Sequence, residues 1–194
     1  MTLPNVQVGA AQEVRARAMR AIVTDVIQKL GGDTAVETFM MRTAWHEGAM
    51  LTARRQIGGG PGRSFFQFEP AKAKDGVEKA NRKPEHIALL AGAGGTTTTA
   101  LTTAAAALVL GQPWPPQNLI DHLLGDEATA SDVFATFLCR FGLLRIPDPV
   151  PAGLDDQAEY WARNWKVKFQ SPTDRLTKIA QFKANANILD ALPT

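Results

Sequence analysis

Cysteine is nearly absent: Cys139 is the only one in 194 residues, so no intrachain disulfide framework can exist. Its setting, VFATFLCRF, reads as a small core side chain rather than a reactive thiol. Histidine is scarce as well. His46, His86 and His122 are scattered, and the HEG tripeptide lacks the second histidine of a zinc helix, so neither a metal nor another cofactor is expected. Charge of one sign is also lacking. A formal net charge of +2 is too small to argue for a nucleic-acid partner, although it suits contact with an anionic polymer or cell surface. The opening stretch MTLPNVQVGAAQEVRARAM has no charged segment followed by an apolar one, and no signal peptide is read there. The longest run of small and apolar residues, 96–110, is too short to span a bilayer, so no membrane insertion is expected. Ser64 and Ser131 lie in no nucleophile elbow, and no internal repeat is found.

What is present fits an ordinary globular chain, 45% hydrophobic and 21% charged, expected to form one domain over residues 1–194 and to be monomeric. Helical spacing dominates. Val14, Ala18, Ala21, Ile22, Val26 and Leu30 predict a first helix over residues 11–30, closed by Gly31 and Gly32. Asp33 or Thr34 can cap a second, whose apolar positions Val36, Met40 and Thr43 or Ala44 lead to Glu47. Residues 72–82 read as a solvated turn or short helix, and residues 85–91, behind Pro84, as another helix. Residues 96–110, apolar or small on every face, predict a central buried helix, and 118–124 a short one. Ser131 can cap a helix with Val133, Phe134, Phe137, Leu138, Phe141 and Leu144 on one broad face. The prolines of RIPDPVPAG require an extended connection before a helix over 154–169. In that helix Tyr160, Trp161 and Trp165 either pack inward or line a groove. Thr173 or Asp174 can cap the last helix, with Leu176, Ile179, Ala180, Ile188 and Leu189 on one side.

The most informative stretch is residues 41–70, MRTAWHEGAMLTARRQIGGGPGRSFFQFEP. A helix ends on Glu47, and Gly58 to Gly60 with Pro61 and Gly62 then force a tight reversal. Glu47 either lies on the apolar face, where burial raises a carboxyl's pKa, or has passed the helix end and points to water. The segment from Arg54 reads as an irregular loop or a short β-hairpin. In a strand, Gln67 and Glu69 would share one face and Phe66 and Phe68 the other. GGGPGRS lacks the lysine and the spacing of a phosphate loop.

Without a metal or a nucleophilic triad, carboxylates are the remaining chemistry. Glycoside cleavage needs a protonated carboxyl to deliver a proton to the leaving oxygen. Glu47 fits that part, Glu69 is the candidate second carboxylate across the turn, and Asp75 is a weaker one. The stretch Arg55, Gln56, Gly58 to Pro61, Gly62, Arg63, Gln67, Glu69 and Pro70 resembles phage-encoded members of the soluble lytic transglycosylase and goose-type lysozyme superfamily. LRIPDPVP (144–151) and YWARNW (160–165) resemble the tail of the same phage proteins. The chain departs from the family at Gly48, where serine is usual, and at Ser64, Phe65 and Phe66, where the family strand reads Gly-Leu-Met.

The resemblance implies a mainly α (α+β) lysozyme-like domain with a small β-hairpin beside the active-site cleft. It implies Glu47 as catalytic acid, with Glu69 as possible second carboxylate. Gln67 is expected to hold the glycan, and Arg55, Arg63, Phe66, His46 and Tyr160 are the further expected substrate contacts. The expected activity is cleavage of peptidoglycan between N-acetylmuramic acid and N-acetylglucosamine, by hydrolysis or by attack of the muramic 6-hydroxyl. Delivery would be through a holin or inside a phage particle, where other virion proteins are possible partners. The competing expectations are a non-enzymatic phage virion or tail protein that kept the fold, and a helical partner-binding module.

Overall fold

The computed structural model describes residues 8–60, 62–80, 82–93, 129–166 and 168–193. This part is mainly helical: α1 (Ala10–Leu30), α2 (Thr34–Glu47), α3 (Pro70–Ala80), α4 (Pro84–Ala93), α5 (Thr129–Leu143), α6 (Leu154–Asn164) and α7 (Pro172–Asp190). The expected helices at residues 96–110 and 118–124, and His122, lie outside the described residues. Among those described, no helix is long and apolar enough to cross a membrane.

Local chemistry sets most boundaries. α1 stops at Gly31, whose φ of 74° favours a residue without a Cβ. Asp33 caps α2, its side chain accepting the Val36 N–H at 3.0 Å. Ser171, rather than Thr173 or Asp174, caps α7: its hydroxyl accepts the Asp174 N–H at 3.1 Å, with Pro172 preset for the first turn. Ser131 is not a cap either; α5 begins before it, and its side chain is buried. α6 ends at Asn164, five residues short of the expected Phe169. Both Trp165 N–H and Lys166 N–H close on the Trp161 carbonyl there, at 2.8 and 2.9 Å, as the Trp165 ring turns towards Phe66 and Phe68.

α5 is the axis of the packing, in contact with α1, α2, α3 and α4, while α7 lies against α2 and α6. Phe134, Phe137, Leu138 and Phe141 are buried, as expected, and so are Ala135, Cys139 and Leu143, so most of its circumference is enclosed. Each such phenylalanine contributes roughly 2–3 kcal/mol on leaving water. α3 approaches α5 closely at Gly76, where an added Cβ would lie 3.0 Å from the Leu138 carbonyl oxygen. The buried side chains form one contiguous cluster.

Two patterns differ from the sequence expectation. α1 buries Ala16, Met19, Val23, Val26 and Ile27, whereas Val14, Ala18 and Ala21 face outward and Val14 is 57% exposed. Alanine is tolerated on either face, so it marks the buried stripe weakly. α7 similarly buries Ile179, Phe182, Ala186 and Leu189 and leaves Leu176 exposed.

The expected β-hairpin is not formed, and no strand occurs among the described residues. Isolated antiparallel bridges join Arg55 to Arg63 and Arg63 to Phe68. Between them Ser64 and Gln67 take φ of 62° and 49°, coiling residues 64–67 into a turn closed by Gln67 N–H to the Ser64 carbonyl at 3.1 Å. That turn destroys the alternation, and Phe65, Phe66 and Phe68 are all buried. Burial of three phenylalanines on one short segment outweighs the ladder hydrogen bonds that a strand would gain.

Candidate active-site cleft

A cleft of about 620 Å³ opens where α2 ends. Its walls are His46, Glu47, Ala49 and Met50 from α2 and the following turn, Gln56 and Ile57 from the glycine loop, and Gln67, Glu69 and Lys72 around the start of α3. Trp165, Lys166 and Lys168 after α6, and Lys178, Gln181 and Asn185 of α7, complete it.

Glu47 is the last residue of α2, and the chain changes hand directly after it. Gly48 sits so close to the 64–67 turn that a Cβ would lie 3.1 Å from the Phe65 Cα and 2.7 Å from the Ala44 carbonyl oxygen. Any larger side chain at this position would be crowded. Ala49, Met50 and Leu51 then run left-handed, with φ of 49°, 57° and 57°. Non-glycine residues enter that region at a cost of about 1 kcal/mol each. Met50 N–H bonds to the Trp45 carbonyl at 2.7 Å, Thr52 N–H to that of Gly48 at 2.9 Å, and Leu51 is buried, which holds the turn.

The Glu47 carboxyl accepts the Trp161 indole N–H at 3.0 Å. Burial pushes it above the usual carboxylate range, while Lys166, Lys72, the Trp161 N–H and Lys178 pull in the opposite direction. Trp161 is fixed by stacking on Phe182, centroids 5.1 Å apart, and by an edge contact with His46 at 4.8 Å. Asn185 Nδ2 lies 3.0 Å from His46 Nδ1. Burial first, then Lys178 and Lys166, lowers His46 to about 4, so the ring is neutral at physiological pH. A neutral ring that accepts from Asn185 at Nδ1 keeps its proton on Nε2.

Lys72 is in the first turn of α3, its ammonium donating to the Trp165 carbonyl and lying 4.5 Å from the centre of the Trp165 ring. Burial lowers it to about 8, against the charges of Glu47 and Glu69, which raise it. Gln67 donates from Nε2 to the carbonyls of Ser64 at 2.8 Å and Ala53 at 3.2 Å, and its Oε1 is buried without a partner among the described residues. The glycine loop closes over Gln56, whose Oε1 accepts the Gly62 N–H at 3.1 Å and would lie 2.0 Å from a Cβ at Gly60.

Of the residues expected from sequence, the cleft brings together Glu47, Glu69, Gln67 and His46. The other four do not line it. Phe66 is fully buried beside Phe68 and Trp165. Tyr160 is buried on the far face of α6, edge-on to Phe39 at 5.2 Å, with its hydroxyl donating to the Asp148 carbonyl at 3.3 Å. Arg63 staples the loop, donating to the carbonyls of Gly60 and Gly62 at 2.9 Å, and Arg55 is exposed opposite it. Asp75 pairs with Arg145 at 2.6 Å, outside the cleft. Sequence reasoning missed Lys72, Lys166, Lys168, Lys178 and Asn185. Lysines in polar stretches carry no signal of convergence, and only the fold sets residue 185 beside residue 46. Among the described residues no group of histidine, cysteine and carboxylate side chains has the arrangement to hold a metal ion. No family model, curated protein or solved structure matches the chain.

Proposed function

We propose that the protein cleaves peptidoglycan glycan strands at the β-1,4 bond between N-acetylmuramic acid and N-acetylglucosamine, as a phage endolysin or virion-associated lysin with a lysozyme-like domain. The observation that carries this reading is Glu47: a carboxyl at a helix end, inside a cleft, with its proton held to higher pH by burial and its orientation fixed by Trp161. Its chemistry is that of a general acid. Glu47 passes its proton to the glycosidic oxygen as the C1–O bond breaks and the electron pair leaves with that oxygen. The positive charge left at C1 is quenched by water or by the muramic 6-hydroxyl, and the proton released returns to the Glu47 carboxylate. Glu69, exposed on the rim of the same cleft, is the available second carboxylate if water attacks; internal attack by the 6-hydroxyl needs none.

One observation favours a non-enzymatic virion component instead: four lysines line the cleft, and cations oppose positive charge developing at C1. Release of muropeptides separates the two readings. Wild type is expected to clear a peptidoglycan zymogram and Glu47→Gln to leave no more than about 1% of the activity, the scale of a general-acid contribution. Mass spectrometry of the products assigns anhydro ends to internal attack and reducing ends to water. Undiminished clearing by Glu47→Gln would overturn the acid assignment, and no product from wild type would favour the structural protein.

A further inference from the structure

Outside the cleft, Arg15 and Arg140 donate to the carbonyls of Leu51 and Gly31, and six further cations are neutralised by carboxylates: Arg42 by Asp190, Arg54 by Asp132, Arg145 by Asp75, Arg175 by Glu159, Lys183 by Asp155 and Lys29 by Asp25. The four lysines of the cleft are not, since Lys72, Lys166, Lys168 and Lys178 make no ion pair within 4.0 Å among the described residues. Among the described residues only Glu47 and Glu69 line the cleft with acidic side chains, and a protonated Glu47 contributes no charge. Helix-end electrostatics account for Lys166, which follows the C-terminus of α6. They do not account for Lys178 inside α7, and they oppose Lys72, which sits in the first turn of α3 where the dipole disfavours a cation.

We propose that Lys166, Lys168 and Lys178, backed by Lys72, form a carboxylate-binding rim that selects glycan strands bearing acidic peptides over neutral polysaccharide; this rests on reading the cleft as a glycan-cleaving site. The fit is one of point charges. Lysine ammonium groups on flexible stems act as point charges that meet carboxylates presented at variable positions along a strand, and among the described residues no arginine lines this cleft to offer a planar bidentate fork. The same rim resolves the conflict with bond cleavage. Substrate carboxylates seated on the lysines cancel the field that would otherwise oppose positive charge at C1, so the acidic substituents are needed for turnover as well as for binding.

The test uses the full chain carrying Glu47→Gln, so that binding is read without cleavage. Calorimetric affinities are compared for soluble peptidoglycan strands with free carboxylates, the same strands amidated by carbodiimide, and a neutral chitin hexasaccharide. Free strands should bind about tenfold tighter than amidated ones, and the advantage should vanish between about 50 mM and about 500 mM salt. Adding Lys166→Gln and Lys178→Gln, with folding checked by circular dichroism, should bring the ratio of free to amidated affinity close to one; Lys168→Gln should reduce it partly. Equal affinity for free and amidated strands, or a ratio untouched by the lysine variants, overturns the rim. Tighter binding of a DNA oligonucleotide than of the free strands overturns the carboxylate assignment. Charge-dependent binding together with no muropeptide release from wild type would sink the glycosidase reading and leave the rim standing, while cleavage indifferent to amidation would do the reverse.

Discussion

Trp161 is the side chain through which Glu47 is oriented, and its single N–H can be removed with little change of shape. Trp161→Phe keeps an aromatic ring against Phe182 and His46 but deletes the donor to the carboxylate. That donor stabilises the ionised form, so its loss raises the Glu47 pKa further. For the cleavage proposed above, the limb of the pH–rate profile above which activity falls should therefore move to higher pH, with the rate lowered about tenfold by lost orientation. An unmoved limb would mean that the indole serves packing alone. His46 supplies a separate pH effect. Its folded-state value, about 4, lies below the ordinary 6.5, so the unfolded chain binds a proton in that window that the fold refuses. Stability from this group is complete above the ordinary value and is lost as pH falls from about 6.5 to about 4. Glu47 acts with the opposite sign, its raised value costing stability as pH rises out of the ordinary carboxylate range. Denaturant midpoints across this range should drop less on acidification in His46→Gln than in wild type.

At the scale of elements, the left-handed turn after α2 is the strained joint that aims Glu47 into the cleft. Three successive non-glycine residues with φ near 50° are held by Leu51 burial and by bonds back to Trp45 and Gly48. Glycine loses nothing by entering this region, so Ala49→Gly should stabilise the folded state by up to about 1 kcal/mol, offset by a few tenths through greater freedom of the unfolded chain. Chemical denaturation reads this directly, and a destabilised variant would show that the turn is not strained at Ala49. The 64–67 turn illustrates what local pattern cannot convey. FFQF alternates as a strand would, yet Phe65 is covered by the guanidinium of Arg54, 4.3 Å from the ring centre, and Arg54 is itself held by Asp132 of α5. An aromatic run therefore turns inward on both sides, because a distant helix supplies its second wall.

Across the whole molecule, the cleft depends on α2, α6 and α7 keeping their spacing, and Arg42 ties the three. Its guanidinium pairs with Asp190 at the end of α7 at 2.5 Å and donates to Gln157 Oε1 of α6 at 2.8 Å. Gln157 in turn donates to the carbonyls of Ala35 and Pro151. Arg42→Met fills similar volume but leaves the buried Gln157 oxygen without its donor, and should cost about 2–3 kcal/mol in a urea titration with little change of slope. A loss under about 0.5 kcal/mol would show that the network is dispensable.

The sequence by itself determined the helical class, the end of α2 at Glu47, the reversal through the glycines and the inward face of α5. Those features follow from interactions over a few residues: capping by Asp33, the freedom of glycine, and apolar side chains three and four apart. Tertiary structure decided which α1 face is buried, that residues 64–67 coil instead of pairing, and that Phe66 and Tyr160 belong to the interior. It also decided that the lysines at 72, 166, 168 and 178 meet around one acid. The physical reason is common to all of these: burial and electrostatic convergence are set by what packs opposite. The opposing groups here, Trp161 to Glu47 and Asn185 to His46, stand more than a hundred residues away along the chain.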